Sequence, residues 1–314
     1  MKALFSAIAL TTLVAAAASA TQPGSTALPT GYRGTLTFAR EGPGFPGPSL
    51  IVDYDLQSRT SATRFDGIDP FRASTGETAF LARLEPWHFG DHGVVVADAG
   101  GVTAAPLYVC EDFNFNSNAI CRTPKLSPDR LHVAFAARRG GGNVCYEIGE
   151  DYPAYGDYVI VHDRTGSEIA SFEGYYHPEW LPDGRLLMLG SSCRGAGVWI
   201  ADSTSGTPTR IDGNQVGVPG SFPTVSPDGT RLAFVWNRQL WMLTLDGRQQ
   251  LTQLTQLTDE VQSAAWSPDG TALALLRSSG SWPLEAITLF RPGDPRSVVM
   301  HPLDFLPYGP ITWR

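Results

Sequence analysis

Few residues in this sequence are spaced for chemistry. The run His88-Phe89-Gly90-Asp91-His92 comes nearest to a metal cluster, since His88, Asp91 and His92 are all ligand types for zinc or another transition metal. A metal centre needs more ligands than this run supplies, and a supporting shell of hydrogen bonds. A polar loop with two solvated histidines is therefore expected, and neither a metal nor another cofactor is assigned. No Gly-x-Ser-x-Gly elbow occurs, so a serine hydrolase of the usual α/β type has no support. His-Glu-x-x-His is absent too, and Gly140-Gly141-Gly142 lies between strand-like segments and reads as loop. Lys2 and Lys125 are the only lysines, so lysine-nucleophile chemistry in a processed chain would fall to Lys125 alone.

Composition narrows the classes further. The 314 residues carry a formal net charge of −8, and a nucleic-acid partner normally wants a basic surface. The 33 Gly and 24 Pro are many for a helical bundle, while 8 Trp and 15 Phe supply a sizeable core. Residues 1–20 read as a secretory signal peptide. Lys2 is the basic n-region, Leu4 to Ala18 is apolar or small, and Ala18-Ser19-Ala20 is a small-x-small cleavage site after Ala20. The apolar run is shorter than the ~20 residues a membrane span needs. An exported protein is expected, periplasmic or secreted, with residues 21–30 as a short linker. Removing the leader takes one lysine and no acid, so the net charge moves from −8 to −9.

In an exported protein the four cysteines, Cys110, Cys121, Cys145 and Cys193, read as disulfides, with three pairings available. The favoured set is Cys110–Cys121, closing a short loop, and Cys145–Cys193, joining loops of neighbouring repeats. No Cys-x-x-Cys spacing points to zinc.

The elements that must position these residues are repeats. HPEWLPDGRLLM at 177–188, FPTVSPDGTRLAF at 222–234 and SAAWSPDGTALAL at 263–275 share one frame. TPKLSPDRLHVAF at 123–135 carries Arg130 where the others have Gly, and PFRASTGETAFLA at 70–82 keeps Ser74 and Gly76 but lacks Pro-Asp. A period of ~40–50 residues points to a β-propeller with one four-stranded sheet per repeat. In Ser-Pro-Asp-Gly, Pro presets φ, Asp bonds nearby backbone and Gly takes positive φ, which makes a tight hairpin. Segment 34–65 holds three strand-like runs and lacks the motif strand. The tail Gly309-Pro310-Ile311-Thr312-Trp313-Arg314 matches that inner strand, with Trp313 in the place of Trp266. The expectation is an all-β, six-bladed propeller over 31–314, with four-stranded antiparallel blades and a ring closed by the C-terminal strand joining the N-terminal blade.

The pattern Pro-x-Trp-Ser-Pro-Asp-Gly-x-x-Leu-Ala-φ, where φ is apolar, resembles the repeats of the TolB-type β-propeller family. The match is best over 223–247 and 256–276, with the lead-in Gln256-Leu257-Thr258, specific over about residues 120–275 and loose over 31–110. TolB carries an α/β domain before its propeller and prolyl-peptidase-like relatives carry a hydrolase domain. Neither has room here, so the resemblance implies an isolated exported propeller. Family members are commonly interaction scaffolds.

Topology then sorts candidate residues. The Ser-Pro-Asp-Gly and Asp-x-x-Gly turns share one face of a propeller, and the second-to-third strand loops and blade connections share the other. On that second face the loops are long and gather aromatics among carboxylates: Trp87, His88, Asp91, Phe113, Phe115, Tyr146, Glu147, Asp151, Tyr152, Tyr155, Tyr175 and Tyr176. Aromatic rings with polar neighbours are typical of binding surfaces. The inner strands offer a second group. Their alignment puts Arg72, Lys125, Glu179, Thr224, Ala265 and Thr312 at one position beside the central channel. An internal ion-pair set is expected there, and a channel ligand with an anionic group is the sharper alternative. The sequence thus predicts a non-catalytic binding or scaffolding propeller. Its partner would be another envelope or secreted protein or peptide, held by the loop-rich face; no nucleic acid and no membrane span are expected. The competing reading is a propeller lyase, lactonase or glycan-cleaving enzyme with a metal or polar site at the channel. The scattered histidines argue against it, since only His177 sits on an inner strand.

Overall fold

A computed structural model describes residues 32–41, 49–84, 92–110, 121–137, 158–191, 194–202, 206–213, 215–216, 220–278, 285–294, 298–300 and 307–314. They form six four-stranded antiparallel sheets arranged as a propeller. The first blade contains β1 (Thr35–Glu41), β2 (Ser49–Asp55) and β3 (Thr60–Asp66). The second runs β4 (Ile68–Arg72), β5 (Thr78–Arg83), β6 (His92–Ala97) and β7 (Tyr108–Cys110). The third is β8 (Cys121–Leu126), β9 (His132–Ala137), β10 (Tyr158–Asp163) and β11 (Glu168–Glu173). The fourth is β12 (Tyr175–Trp180), β13 (Leu186–Gly190), β14 (Gly197–Ala201) and β15 (Thr209–Arg210). The fifth is β16 (Ser221–Val225), β17 (Arg231–Trp236), β18 (Gln239–Thr244) and β19 (Leu251–Gln253). The sixth is β20 (Glu260–Trp266), β21 (Leu273–Ser278), β22 (Glu285–Phe290) and β23 (Val298–Met300). The last strand, β24 (Pro307–Trp313), pairs antiparallel with β1 and supplies the inner strand of the first blade, as the tail predicts. No described helix is long and apolar enough to cross a membrane.

Local chemistry explains the hairpins. In three blades a serine opens the first turn and its hydroxyl meets the turn aspartate: Ser127 to Asp129 at 2.5 Å, Ser226 to Asp228 at 2.6 Å and Ser267 to Asp269 at 2.6 Å. The same aspartate oxygens accept from the backbone two residues on, at Leu131, Thr230 and Thr271. These bonds fix an Asx-type turn without help from the core. They also hold Asp228 down to about 2, first through the Ser226 hydroxyl.

Packing follows from the register. One layer is filled by Phe38, Phe80, Phe135, Met188, Phe234 and Leu275, each at the same place on the second strand of its blade and each at most 1% exposed. Full burial of such a side chain is worth roughly 1.5–3 kcal/mol. Tryptophans lock neighbouring blades: Trp180 Nε1 donates to the Lys125 carbonyl at 3.0 Å and Trp266 Nε1 to the Thr224 carbonyl at 3.1 Å.

Candidate functional site

Each inner strand bends at a bulge and then runs to the turn, which sets a ring of equivalent positions beside the axis. By strand register these are Phe71, Lys125, Glu179, Thr224, Ala265 and Thr312. Lys125 Nζ donates to Glu179 Oε2 at 2.7 Å, and its ammonium lies 4.9 Å from the centre of the Phe71 ring. Burial pushes the Glu179 carboxyl up, while the Lys125 charge and hydrogen bond pull it back. Above this ring a cavity of about 320 Å³ opens on the turn face, bounded by Pro128, Pro182, Pro227 and Pro268 and by Trp180, Trp266 and Trp313.

The sequence alignment misplaces Arg72 by one residue. Ala73, not Ser74, opens the turn of the second blade, because Gly76 N donates to the Ala73 carbonyl as Arg130 N does to Ser127. Phe71 therefore takes the axial position, and Arg72 falls where the other blades place Leu126, Trp180, Val225, Trp266 and Trp313. A shift of one residue turns a strand side chain to the other face. Arg72 accordingly borders the cavity from between the first two blades, where it forms an ion pair with Asp53 rather than joining Lys125 and Glu179.

A deeper tier lies at the bulges. Asp69, Thr123, His177 and Phe222 share one register position and all adopt positive φ. Thr123 N donates to Asp69 Oδ2 at 3.1 Å, and the His177 ring sits 4.8 Å from that of Phe222. Burial, then the charges of Lys125 and Arg122, bring the His177 imidazole down to about 3, so it is neutral at ordinary pH. Its Nδ1 and the Thr123 hydroxyl are buried without a hydrogen-bond partner. Sequence reasoning gave this tier no role. The available signal was the proline that follows each member: Pro70, Pro124, Pro178 and Pro223.

The loop-rich face is defined here by its strand ends. Trp87, His88 and Asp91 lie outside the described residues, between the ends of β5 and β6; Phe113 and Phe115 do so between β7 and β8, and Tyr146, Glu147, Asp151, Tyr152 and Tyr155 between β9 and β10. All of these strand ends are on the face opposite the Ser-Pro-Asp-Gly turns. Tyr175 and Tyr176 are corrected. They belong to β12 rather than a loop, and are 7% and 8% exposed. Tyr176 donates to the Gly220 carbonyl at 3.1 Å, and Tyr175 packs edge-on to Trp199 at 5.6 Å. These rings stabilise the fourth blade. The predicted Cys110–Cys121 disulfide is present and ties β7 to β8. Cys145 and Cys193 lie outside the described residues. Among the described residues no three His, Cys, Asp or Glu side chains are grouped to hold a metal ion.

Comparison with known proteins bears on the fold. No family model matches the sequence. TolB from Acinetobacter baumannii superposes with a TM-score of 0.64 at 14% identity, over 89% of this chain and 66% of that one. The chain thus spans just under two thirds of that TolB's length. A nidogen/laminin complex structure matches with a TM-score of 0.57 at 12% identity, covering 89% of this chain and 98% of that one. A Bacteroides fragilis protein described as a candidate 6-phosphogluconolactonase matches with a TM-score of 0.50 at 11% identity, covering 93% of this chain and all of that one. At these identities the likeness is one of fold alone, the β-propeller.

Proposed function

We propose that this protein is an exported, non-catalytic propeller that binds a protein or peptide through its loop-rich face. The observation that carries the reading is the asymmetry of the two faces. On one, short Asp-bonded turns recur from blade to blade. On the other, the strand ends of the second and third blades are joined by connections rich in Trp, Phe, Tyr and carboxylates, at 85–91, 111–120 and 138–157. Variable loops on a rigid scaffold are where binding residues concentrate. A disulfide beside these connections suits an oxidising compartment, which fits removal of residues 1–20 after Ala20. The structural likeness to a nidogen/laminin complex supports a protein-binding use of such a propeller. A photo-crosslinking residue at Tyr152, compared with one at Thr271 on the turn face, tests the reading. A partner captured from Tyr152 and lost in Trp87→Ala supports it; equal capture from both faces overturns it.

The described channel favours one second reading, a small-molecule enzyme of lactonase type, because Lys125 and Glu179 line a cavity and one structural neighbour is described as a candidate lactonase. Lactone hydrolysis by the purified protein, abolished in Glu179→Gln, would favour it over partner binding.

A further inference from the structure

The seam between the first and second blades carries more positive charge than its own side chains balance. Arg64 of β3 and Arg72 of β4 meet one carboxylate, Asp53 of β2, and the guanidinium of Arg314, just after β24, is close enough to both arginines for the charges to repel. Arg72 and Arg64 both meet Asp53 Oδ2, the latter at 3.7 Å, and Thr37 donates to Oδ1 at 2.7 Å. Asp53 is the only carboxylate among the described residues within ion-pair distance of any of the three guanidinium groups. Three guanidinium groups therefore share one side-chain carboxylate, in a protein whose net charge is −8.

The donors are also incompletely used. Arg64 Nη2, Arg72 Nε and Arg314 Nε are buried with no hydrogen-bond partner, and the Arg72 side chain is only 5% exposed. Burial and the nearby Arg314 charge bring Arg72 down to about 10, and burial and Arg64 lower Arg314. Buried charges are normally paired and hydrogen-bonded. Like charges held together with spare donors point to a counter-ion from outside the chain.

We infer that this seam binds a tetrahedral oxyanion of the phosphate or sulfate class, either free or as a monoester. A guanidinium donates in a planar fork that suits such oxygens. Donors from three separate segments can surround a tetrahedral anion, whose oxygens point in four directions, more evenly than a planar carboxylate. Arg64, 27% exposed, and the half-buried Arg314 form the approach from solvent, while Arg72 closes the side toward the channel. The anion would join β3 and the end of β24 to β4. Arg314 exchanges two backbone hydrogen bonds with Thr35 where the ring closes, so binding there stabilises the closed ring. The inference stands apart from the partner-binding face.

Calorimetric titration of the full chain with inorganic phosphate at constant ionic strength tests it, with methyl phosphate and acetate as parallel titrants. Saturable one-site phosphate binding is expected, weakened about tenfold or more in Arg64→Gln and in Arg314→Gln, since each removes a charge-assisted donor. The thermal midpoint should rise with phosphate in the wild type and lose that rise in the double variant, whereas the general salt effect acts on both alike. Methyl phosphate binding as tightly as phosphate assigns the site to monoesters; much weaker binding assigns it to the free anion. Either result supports the site. No saturable phosphate binding, undiminished binding in both variants, or acetate binding as tightly as phosphate would overturn it.

Discussion

Lys125 and Glu179 meet at 2.7 Å across the third and fourth blades at the floor of the turn-face cavity, with side chains 11% and 10% exposed. A buried pair of this kind contributes little net stability compared with apolar residues of like volume, but removing one partner strands the other charge. Glu179→Leu and Lys125→Met should each lower the unfolding free energy by about 3 kcal/mol, and the double variant Lys125→Met/Glu179→Leu should recover to within about 1 kcal/mol of the wild type. Urea denaturation of the four proteins completes the cycle. Additive losses would show that the two side chains do not interact.

The turns give a cleaner test of backbone strain. Gly184 has φ +87°, and a Cβ built there meets no atom within 4 Å, so Gly184→Ala should cost about 1 kcal/mol through the left-handed backbone alone. Arg130 holds the equivalent place in the third blade at φ 64°. Its ion pair with Glu77 is long, at 3.6 Å, and exposed on the arginine side, so it is worth little. Arg130→Gly should therefore be neutral to stabilising by up to about 1 kcal/mol. Gly34→Ala differs, because its Cβ would run into the Arg314 carbonyl that closes the ring, and it should cost more than Gly184→Ala. Thermal denaturation that ranks the three otherwise would reject this account.

These turns also show what the sequence makes legible. Pro, Asp and Gly recur because a tight turn needs each for a local reason, so the blade count and the closing role of Trp313 can be read without tertiary information. Register within a strand cannot be read so easily. The second blade lacks Pro-Asp, and a slip of one residue exchanged Phe71 for Arg72 at the axis. Tyr175 and Tyr176 fall in the blade connection that the sequence assigns to the loop-rich face, yet long-range packing against Trp199 and Gly220 draws them into β12. The Arg64–Asp53–Arg72 group joins three strands from two blades, and no sequence spacing encodes it.

The disulfide makes a separate claim about the second and third blades. Cys110 and Cys121 are 11 residues apart, each 3% exposed, and their bond links the outer strand of one blade to the inner strand of the next. In the chain-entropy account a loop of that size contributes about 2–3 kcal/mol by constraining the unfolded chain. Cys110→Ser/Cys121→Ser should be destabilised by that amount with its propeller intact, which denaturant titration and far-UV circular dichroism would report. An unchanged midpoint would mean that the connection 111–120 is restrained by other contacts.

His177 should make stability depend on pH, with a sign opposite to that of Glu179. The imidazole is held down to about 3 by burial and by Lys125 and Arg122, whereas in an unfolded chain it titrates near 6.5. Between those values the unfolded chain binds more protons than the folded one. This contribution is therefore complete above pH ~6.5 and is lost as pH falls toward 3. Burial raises Glu179, so there the folded chain binds the proton more readily, and its penalty fades as pH falls. His177→Asn removes the titration and keeps a residue that tolerates the positive φ at this bulge. Between pH 7 and pH 4 the wild type should lose about 3 kcal/mol more than His177→Asn, while Glu179→Gln should lose stability more steeply than the wild type. Guanidinium unfolding at the two pH values decides it. A His177→Asn profile parallel to the wild type would show that His177 is not held neutral in the folded ring.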